Sequence, residues 1–258
     1  MKLEKLREER KKNRLTFLIK DSDEVFANTI RRLILEEVPT LAVEDVEIKD
    51  NNSALYDEML ALRLGLVPIK TDLDSYVLKS KCKCNGAGCA QCELKITLKS
   101  NKKGYVLAEE AVSADPKCTF TYPNMPVVKL LSKQKIDVTM IAILGQGKDH
   151  VKWVPALSFY KKEVSIKVGK VANPKKLVES CPLRIFKLSG NKVDVDKEKL
   201  IDCHNCMQCA DLDKEVSLEE TGNLIFVVES WGQLSCKEIL TQSAEILIQK
   251  VEEMENLI

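Results

Sequence analysis

The fold is decided by residues 26–69, which read FANTIRRLILEEVPTLAVEDVEIKDNNSALYDEMLALRLGLVPI. Apolar residues in the first part of this stretch recur at steps of three and four, from Phe26 through Ile30 to Leu33. That spacing places them on one face of a helix, and Pro39 ends the pattern because proline cannot continue a helix. The stretch therefore opens with a predicted amphipathic helix.

A strand and a second helix are predicted after this proline. The segment LAVEDVEIKD is typical of a strand, and SALYDEMLALRLGLVPI predicts a short helix with Gly65 as its C-terminal cap. Asp21 or Ser22 is expected to cap the first helix. From about residue 75 to 165, β-branched runs alternate with Gly, Asn and Pro clusters, which predicts a β-rich middle.

The two ends of the chain have similar patterns. RLTFLIK near the start and NLIFVVES near the end each predict a strand, and RLTFLIK alternates as a half-buried one. Ser235 and Glu238 then form a capping box for a long terminal helix. The apolar stripe of that helix has six members: Leu240, Ala244, Leu247, Val251, Met254 and Ile258. Such a stripe must be covered, either by the chain's own core or by a subunit interface.

Composition excludes several classes of protein. The 258 residues include 40 basic and 39 acidic ones, so no overall charge draws the chain to nucleic acid or anionic lipid. No apolar run approaches the roughly 18 residues of a membrane span, and the charged start is unlike a signal peptide. We therefore expect a cytoplasmic protein without membrane attachment. In that compartment the 10 cysteines favour metal ligands or buried thiols over disulfides.

Four cysteines lie close together in CKCNGAGCAQC: Cys82, Cys84, Cys89 and Cys92. Four thiolates at this density, with glycines that let the chain turn tightly, suit a closed tetrahedral Zn²⁺ site of structural type. The zinc would hold a hairpin between two flanking strands, YVLKSK and ELKITLKS. Disulfides or free thiols are the alternative interpretation.

A second group of cysteines matches half of a two-cluster ferredoxin. Ferredoxin runs have the form C-x2-C-x2-C-x3-C-P, and the last cysteine of each run binds the cluster of the other. Cys181 is followed by Pro182, as at the end of a first run. CHNCMQC supplies three cysteines of a second run: Cys203, Cys206 and Cys209. Asp213 stands where its fourth would be. One complete ligand set therefore remains, which predicts a 4Fe-4S cluster, or 3Fe-4S if Cys181 is not a ligand; a zinc knuckle or oxidised thiols are the alternatives.

The quoted residues resemble a known family. Residues 26–69 resemble the alpha motif of the RNA polymerase alpha-subunit family. With VKWVPA at 151–156 and the order of the cysteine inserts, nearly the whole chain resembles the archaeal members of this alpha-subunit, or third-largest-subunit, family of DNA-directed RNA polymerase. The resemblance implies an α+β fold with four parts. These are a dimerisation domain in two pieces, 1–48 and 222–258, a β-rich insert at 49–165 with the zinc loop, and a ferredoxin-like iron–sulfur domain at 166–221.

The resemblance also implies assembly rather than catalysis. In this family the subunit pairs with subunit L, then binds small subunits N and P and the second-largest subunit, and meets DNA only through the complex. Polymerase chemistry lies in the large subunits, so no catalytic residue is expected here. Five apolar residues are predicted at or near the contact with L: Phe26, Ile30, Leu33, Leu247 and Val251.

Two other functions compete with this interpretation. A ferredoxin-like electron carrier would use the iron–sulfur cluster, but the second cluster of the usual electron route is missing. A free-standing zinc-dependent nucleic-acid binder would need a basic surface with interspersed aromatics, whereas aromatic residues make up 5% of the chain and the net charge is +1.

Overall fold

The computed structural model describes residues 1–190 and 192–257, and within them the chain is a mixture of strands and helices. The strands are β1 (Lys2–Glu9), β2 (Arg14–Lys20), β3 (Thr40–Asn51), β4 (Leu94–Ser100), β5 (Gly104–Leu107), β6 (Val112–Ser113), β7 (Pro126–Leu130), β8 (Ile136–Gly145), β9 (Ala156–Val168), β10 (Phe186–Ser189), β11 (Lys192–Val195) and β12 (Val216–Ser230). The helices are α1 (Glu24–Glu36), α2 (Asp57–Gly65), α3 (Pro174–Ser180), α4 (Lys197–Leu200), α5 (Gln208–Leu212) and α6 (Cys236–Glu255). The predicted α+β class is confirmed.

Each of two compact units is discontinuous in sequence. The first consists of Met1–Arg7, Thr16–Asn28 and Phe159–Val227. The second consists of Glu8–Leu15, Thr29–Ser158 and Val228–Ile258, of which Ile258 lies outside the described residues.

The first unit contains a sheet with the strand order β1-β2-β12-β9. The rings of Phe17 and Phe226 stack with centroids 5.2 Å apart. Leu18 packs instead with Ile225 and Val227 in a separate cluster. Because neighbouring side chains of a strand point to opposite faces, β2 is covered on both sides. The prediction of a half-buried strand was wrong here, since Leu18 is as buried as its neighbours.

The capping residue of helix α1 lies one or two residues later than predicted. Asp23 accepts a hydrogen bond from the backbone N–H of Phe26 at 2.8 Å, so Asp23 is the capping residue rather than Asp21 or Ser22. Asp21 has a left-handed backbone (φ 54°) and lies in the turn before the helix. The helix ends before Pro39, as the sequence predicts.

The second unit is built on an antiparallel sheet with the order β3-β8-β4-β6 and on the small β5–β7 pair. Helix α2 buries Leu60 and Leu64 in the same core as the apolar faces of β4 and β8. Gly65 is the last residue of α2 and not a left-handed cap, because Leu66 continues in right-handed conformation. The Gly65 prediction was therefore wrong, although the helix itself was placed correctly.

Helix α6 has the predicted capping box. Ser235 Oγ accepts from the N–H of Glu238 at 3.2 Å, and the Glu238 carboxylate accepts from the N–H of Ser235 at 2.7 Å. Ile239 and Ser243 are buried in the first half of the helix. The second half leaves large apolar side chains in solvent, which distinguishes it from an ordinary core helix.

Candidate metal sites and dimerisation face

The four cysteines of the 82–92 loop meet at one point. The Sγ–Sγ distances are 3.4 Å from Cys82 to Cys84, 3.5 Å from Cys82 to Cys89, 3.6 Å from Cys84 to Cys92 and 3.8 Å from Cys89 to Cys92. All four sulfurs lie within 4.8 Å of one another. Within residues 1–190 and 192–257, this is the cluster of His, Cys, Asp or Glu ligand atoms that is tight enough for a single ion.

The loop reaches this geometry through left-handed backbone positions. Asn85, Gly86 and Gly88 have φ values of 51°, 82° and 91°. Glycine adopts such values without strain, so the chain reverses direction within a few residues. The N–H of Cys89 also points to the sulfur of Cys92, with an N–S distance of 3.3 Å. Four close cysteines could bind a metal ion here.

The chain before the loop is not the predicted strand. Residues 79–81 form a 3-10 turn, and the N–H of Val77 donates to the carbonyl of Gln91 at 2.9 Å. Lys79 forms an ion pair with Glu93 at 2.8 Å. The loop is thus closed at its base by one backbone bond and one ion pair, and only its second flank, β4, is a strand. The prediction of a hairpin was wrong in its first arm.

The pKa values of these thiols diverge because four acidic groups share a small volume. The hydrogen bond with the Cys82 thiol lowers the pKa of Cys84 to about 6. Burial raises the pKa of Cys92 to about 12. Without a cation, Cys92 therefore keeps its proton at neutral pH, whereas Cys84 loses its proton more readily than a free thiol.

The second set of cysteines surrounds a cavity in the first unit. All four line the same space of about 140 Å³: Cys181, Cys203, Cys206 and Cys209. Cys203 and Cys209 are buried, Cys181 is half-buried and Cys206 is exposed. Unlike the sulfurs of the 82–92 loop, no three of these are grouped tightly enough to hold a single metal ion.

Local backbone geometry brings these cysteines to the cavity. Cys181 directly follows α3, and the other three lie on the chain that runs from α4 into α5. Asn205 and Met207 are left-handed, with φ values of 53° and 61°, and separate successive cysteines. Burial also raises the pKa of the Cys209 thiol.

Asp213, at the position where a ferredoxin run would have its fourth cysteine, forms hydrogen bonds with the backbone. Its carboxylate accepts from the N–H of Ala172 at 2.8 Å and from the N–H of Glu215 at 3.0 Å. These backbone hydrogen bonds lower the pKa of Asp213. Both oxygens are therefore engaged in holding loops together.

The predicted interface residues differ in exposure. Phe26, Ile30 and Leu247 are half-buried, Leu33 is 7% exposed, and Val251 is 46% exposed. Sequence reasoning placed Met254 on the stripe but left Ile248 and Leu257 out, although both are among the exposed apolar residues of this segment. The sequence feature that could have identified Ile248 and Leu257 as interface candidates is that both are large apolar residues near the end of a helix. Ile258, the last predicted stripe member, lies outside the described residues.

Comparison with known protein families shows which class of protein this chain belongs to. The model of the RNA polymerase Rpb3/Rpb11 dimerisation domain matches residues 16–251. In the described part of the chain, no helix is both long enough and apolar enough to span a membrane.

The relatives narrow this class further. The chain is 34% identical to the DNA-directed RNA polymerase subunit Rpo3 of Methanosphaera stadtmanae, covering 97% of this chain and 96% of the relative. It is 35% identical to Rpo3 of Archaeoglobus fulgidus, with the same coverage, and 31% identical to Rpo3 of Pyrococcus horikoshii over 94% of this chain and 92% of the relative. The chain therefore belongs to the RNA polymerase Rpb3/Rpb11 dimerisation family, among its Rpo3 members. The predicted resemblance is confirmed, and the comparisons give no support to the electron-carrier alternative.

Proposed function

We propose that this chain is a non-catalytic assembly subunit of DNA-directed RNA polymerase that pairs with subunit L. The observation that carries the proposal is the nearly full-length similarity to Rpo3 subunits, together with the dimerisation-domain match over residues 16–251. The active site of the polymerase then lies in the large subunits. The subunit contributes surfaces on which other subunits assemble.

The exposed half of α6 supports a protein partner. Large apolar side chains of α6 are exposed there, namely Ile248 at 57%, Val251 at 46% and Met254 at 58%, and Leu257, which follows the helix, is 87% exposed. A contiguous apolar helix face of this kind is typical of a protein–protein contact. In this proposal, the face packs on subunit L, with the α1 residues Phe26, Ile30 and Leu33 at or near the same contact.

Replacing Leu247 and Val251 together by Asp tests this interface. Two charges in an apolar contact cost several kcal/mol, roughly the energy of a dominant interface residue, so co-purification with subunit L should fail. The double variant Lys237→Gln, Gln249→Asp is the control, because it changes the charge of the same helix equally at exposed positions. Undiminished binding of L by a folded Leu247→Asp, Val251→Asp protein contradicts the assignment.

We further propose that the 82–92 loop holds one structural Zn²⁺. In a tetrahedron with Zn–S bonds of about 2.3 Å, neighbouring sulfurs lie about 3.8 Å apart. The observed distances of 3.4 to 3.8 Å fit that arrangement. Four thiolates leave no open position, so the ion would stabilise the loop rather than take part in a reaction.

For the second set we propose one iron–sulfur cluster held by Cys181, Cys203, Cys206 and Cys209. Each thiolate of a cubane binds a different iron, so its ligands stand further apart than those of one ion. A cavity lined by all four thiols, with no tight three-sulfur group, fits this requirement. Four ligands favour 4Fe-4S; the loss of Cys181 as a ligand would favour 3Fe-4S.

The remaining parts of the assembly scheme are proposals of the same kind. They include contacts with subunits N and P and with the second-largest subunit, DNA contact only through the complex, and work in the cytoplasm. The domain boundaries at residues 48, 165 and 221 also stay predictions. Purification of the tagged chain from its native host tests the scheme, since co-elution of a multi-subunit polymerase is expected and elution as a free chain is not.

A further inference from the structure

The position of Cys203 cannot be fixed by local secondary structure. It lies between α4, which has 4 residues, and α5, which has 5. Helices this short are not stable by themselves. The backbone N–H of Cys203 donates to the carbonyl of Leu200 at 3.0 Å, which closes a single turn after α4. Contacts from elsewhere in the first unit must therefore hold the segment in place.

One such contact comes from β1, an outer strand of the four-stranded sheet. The guanidinium of Arg7 donates through one nitrogen to both carboxylate oxygens of Asp202, at 3.1 and 2.9 Å. Its other terminal nitrogen donates to the carbonyl of Glu198 at 2.9 Å. Arg7 therefore bonds to both ends of the turn at residues 198–202, which immediately precedes Cys203. A simple surface ion pair would contact only one point of the turn.

A second contact comes from β9, the other outer strand. The ammonium of Lys161 donates to the carbonyl of Cys203 itself at 2.8 Å, and the side-chain amide of Asn205 donates to the carbonyl of Lys162 at 3.3 Å. Between the two edges, Ile201 packs on the sheet. Its neighbours in that cluster come from three strands: Leu6, Leu18, Ile225 and Val227. Residues 198–205 thus cross the whole sheet from β1 to β9.

We propose that Arg7 and Lys161 are positioning residues for the Cys203 thiolate, fastening its loop to the two edges of the sheet. The inference rests on the iron–sulfur cluster proposed above. Partners that orient metal ligands affect metal binding although they do not touch the metal. Arg7 does so through Asp202, and Lys161 through the carbonyl of the ligand residue.

The test compares anaerobically reconstituted full-length proteins by the rate at which a chelator removes iron. Arg7→Gln should release iron roughly tenfold faster than wild type, in line with other changes beside metal ligands. Asp202→Asn should have an effect that is similar or smaller, because it leaves the bond from Arg7 to Glu198. The double variant should not be worse than Arg7→Gln alone, because Arg7→Gln already removes the contact with Asp202. Arg7→Lys, which keeps the charge but not the two-point grip, should fall between wild type and Arg7→Gln.

The visible circular dichroism of the cluster gives a second readout, since it depends on how the thiolates are oriented and should change in Arg7→Gln. Arg32→Gln is the matched control, because Arg32 makes a comparable two-nitrogen pair with Glu36 on an exposed helix. A purely structural role would lower the melting temperature of the metal-free protein without changing iron release. If both Arg7→Gln and Asp202→Asn keep wild-type release rates and spectra, the role of Arg7 is wrong but the proposed cluster is not affected. If the wild-type protein binds no iron, the proposed cluster is wrong as well.

Discussion

The two groups of cysteines contain four thiols each but are built in opposite ways. In the 82–92 loop, four sulfurs from eleven consecutive residues touch one another, and left-handed residues within the loop suffice to gather them. In the second site, Cys181 and Cys203 are separated by more than twenty residues of chain, and the thiols surround a cavity. The first site is therefore a local structure attached to a core, and the second is part of the core itself.

Burial supports this distinction. The 82–92 loop leads into β4, whose Leu94, Ile96 and Leu98 belong to the large core of the second unit. The other site has only small clusters around it. Their buried members are Leu177, Phe186, Cys209 and Val216 in one, and Val164, Ile185 and Cys203 in the other. Clusters of that size bury too little apolar surface to be stable without ligation.

The largest effect is expected from Cys206→Ser. This variant should lose most of its iron and become protease-sensitive across residues 166–221, because the proposed cluster would replace much of the missing core there. Binding of subunit L should persist. Iron analysis, visible absorption and limited proteolysis measure the outcome.

Cys236→Ser is the control, since its Sγ donates to backbone carbonyls such as that of Asn13, and a hydroxyl can make the same hydrogen bonds. A Cys206→Ser protein that keeps its iron, or that loses iron but stays as protease-resistant as wild type, contradicts the contrast between the two sites.

A smaller and more local effect is expected from Cys89→Ser. The variant should lose one zinc and be cleaved near residues 80–95, while the core around β4 stays folded and subunit L still binds. Zinc analysis and mass spectrometry of the proteolytic fragments report the change. Cys118→Ser serves as control, because Cys118 is buried in the same unit but outside the loop. An unchanged zinc content in Cys89→Ser would refute the ligand assignment.

The smallest expected effect is that of pH on zinc binding by the 82–92 loop. The buried Cys92 thiol, whose pKa is raised to about 12, must lose its proton to bind zinc. Zinc affinity should therefore rise with pH, by roughly tenfold per unit for each proton released. Below pH 6, Cys84 is protonated as well, since its pKa is about 6, so the dependence becomes steeper. Competition with a coloured chelator at about pH 5.5, 6.5 and 7.5 measures this, and a flat profile argues against thiolate ligation.

Patterns that depend on neighbours in sequence were predictable. The capping box of α6, the helix at residues 57–65 and the strands around residues 41–50 and 94–100 all follow from short-range periodicity. The density of cysteines at 82–92 was likewise enough to predict that their thiols meet. The grouping of Cys181 with the distant cysteines needed the ferredoxin rule, because spacing alone does not join them.

The errors arise where local patterns allow more than one outcome or where the deciding contact is distant. Asp21, Ser22 and Asp23 are all good capping residues, and the turn made by Asp21 decides among them. YVLKSK has the composition of a strand, but no described strand pairs with it, and Tyr76 reaches the core from a loop instead. The role of Arg7 could not be predicted, because its partners lie more than 190 positions away along the chain.

Pairing through the exposed end of α6, as proposed, would make the subunit dependent on the supply of its partner. A copy synthesised without its partner presents Val251, Met254 and Leu257 to other unfolded or unassembled chains. Such surfaces promote aggregation and attract proteases. Balanced synthesis of the two subunits would then be a condition of solubility, and the abundance of this chain would follow the supply of its partner rather than its own rate of translation.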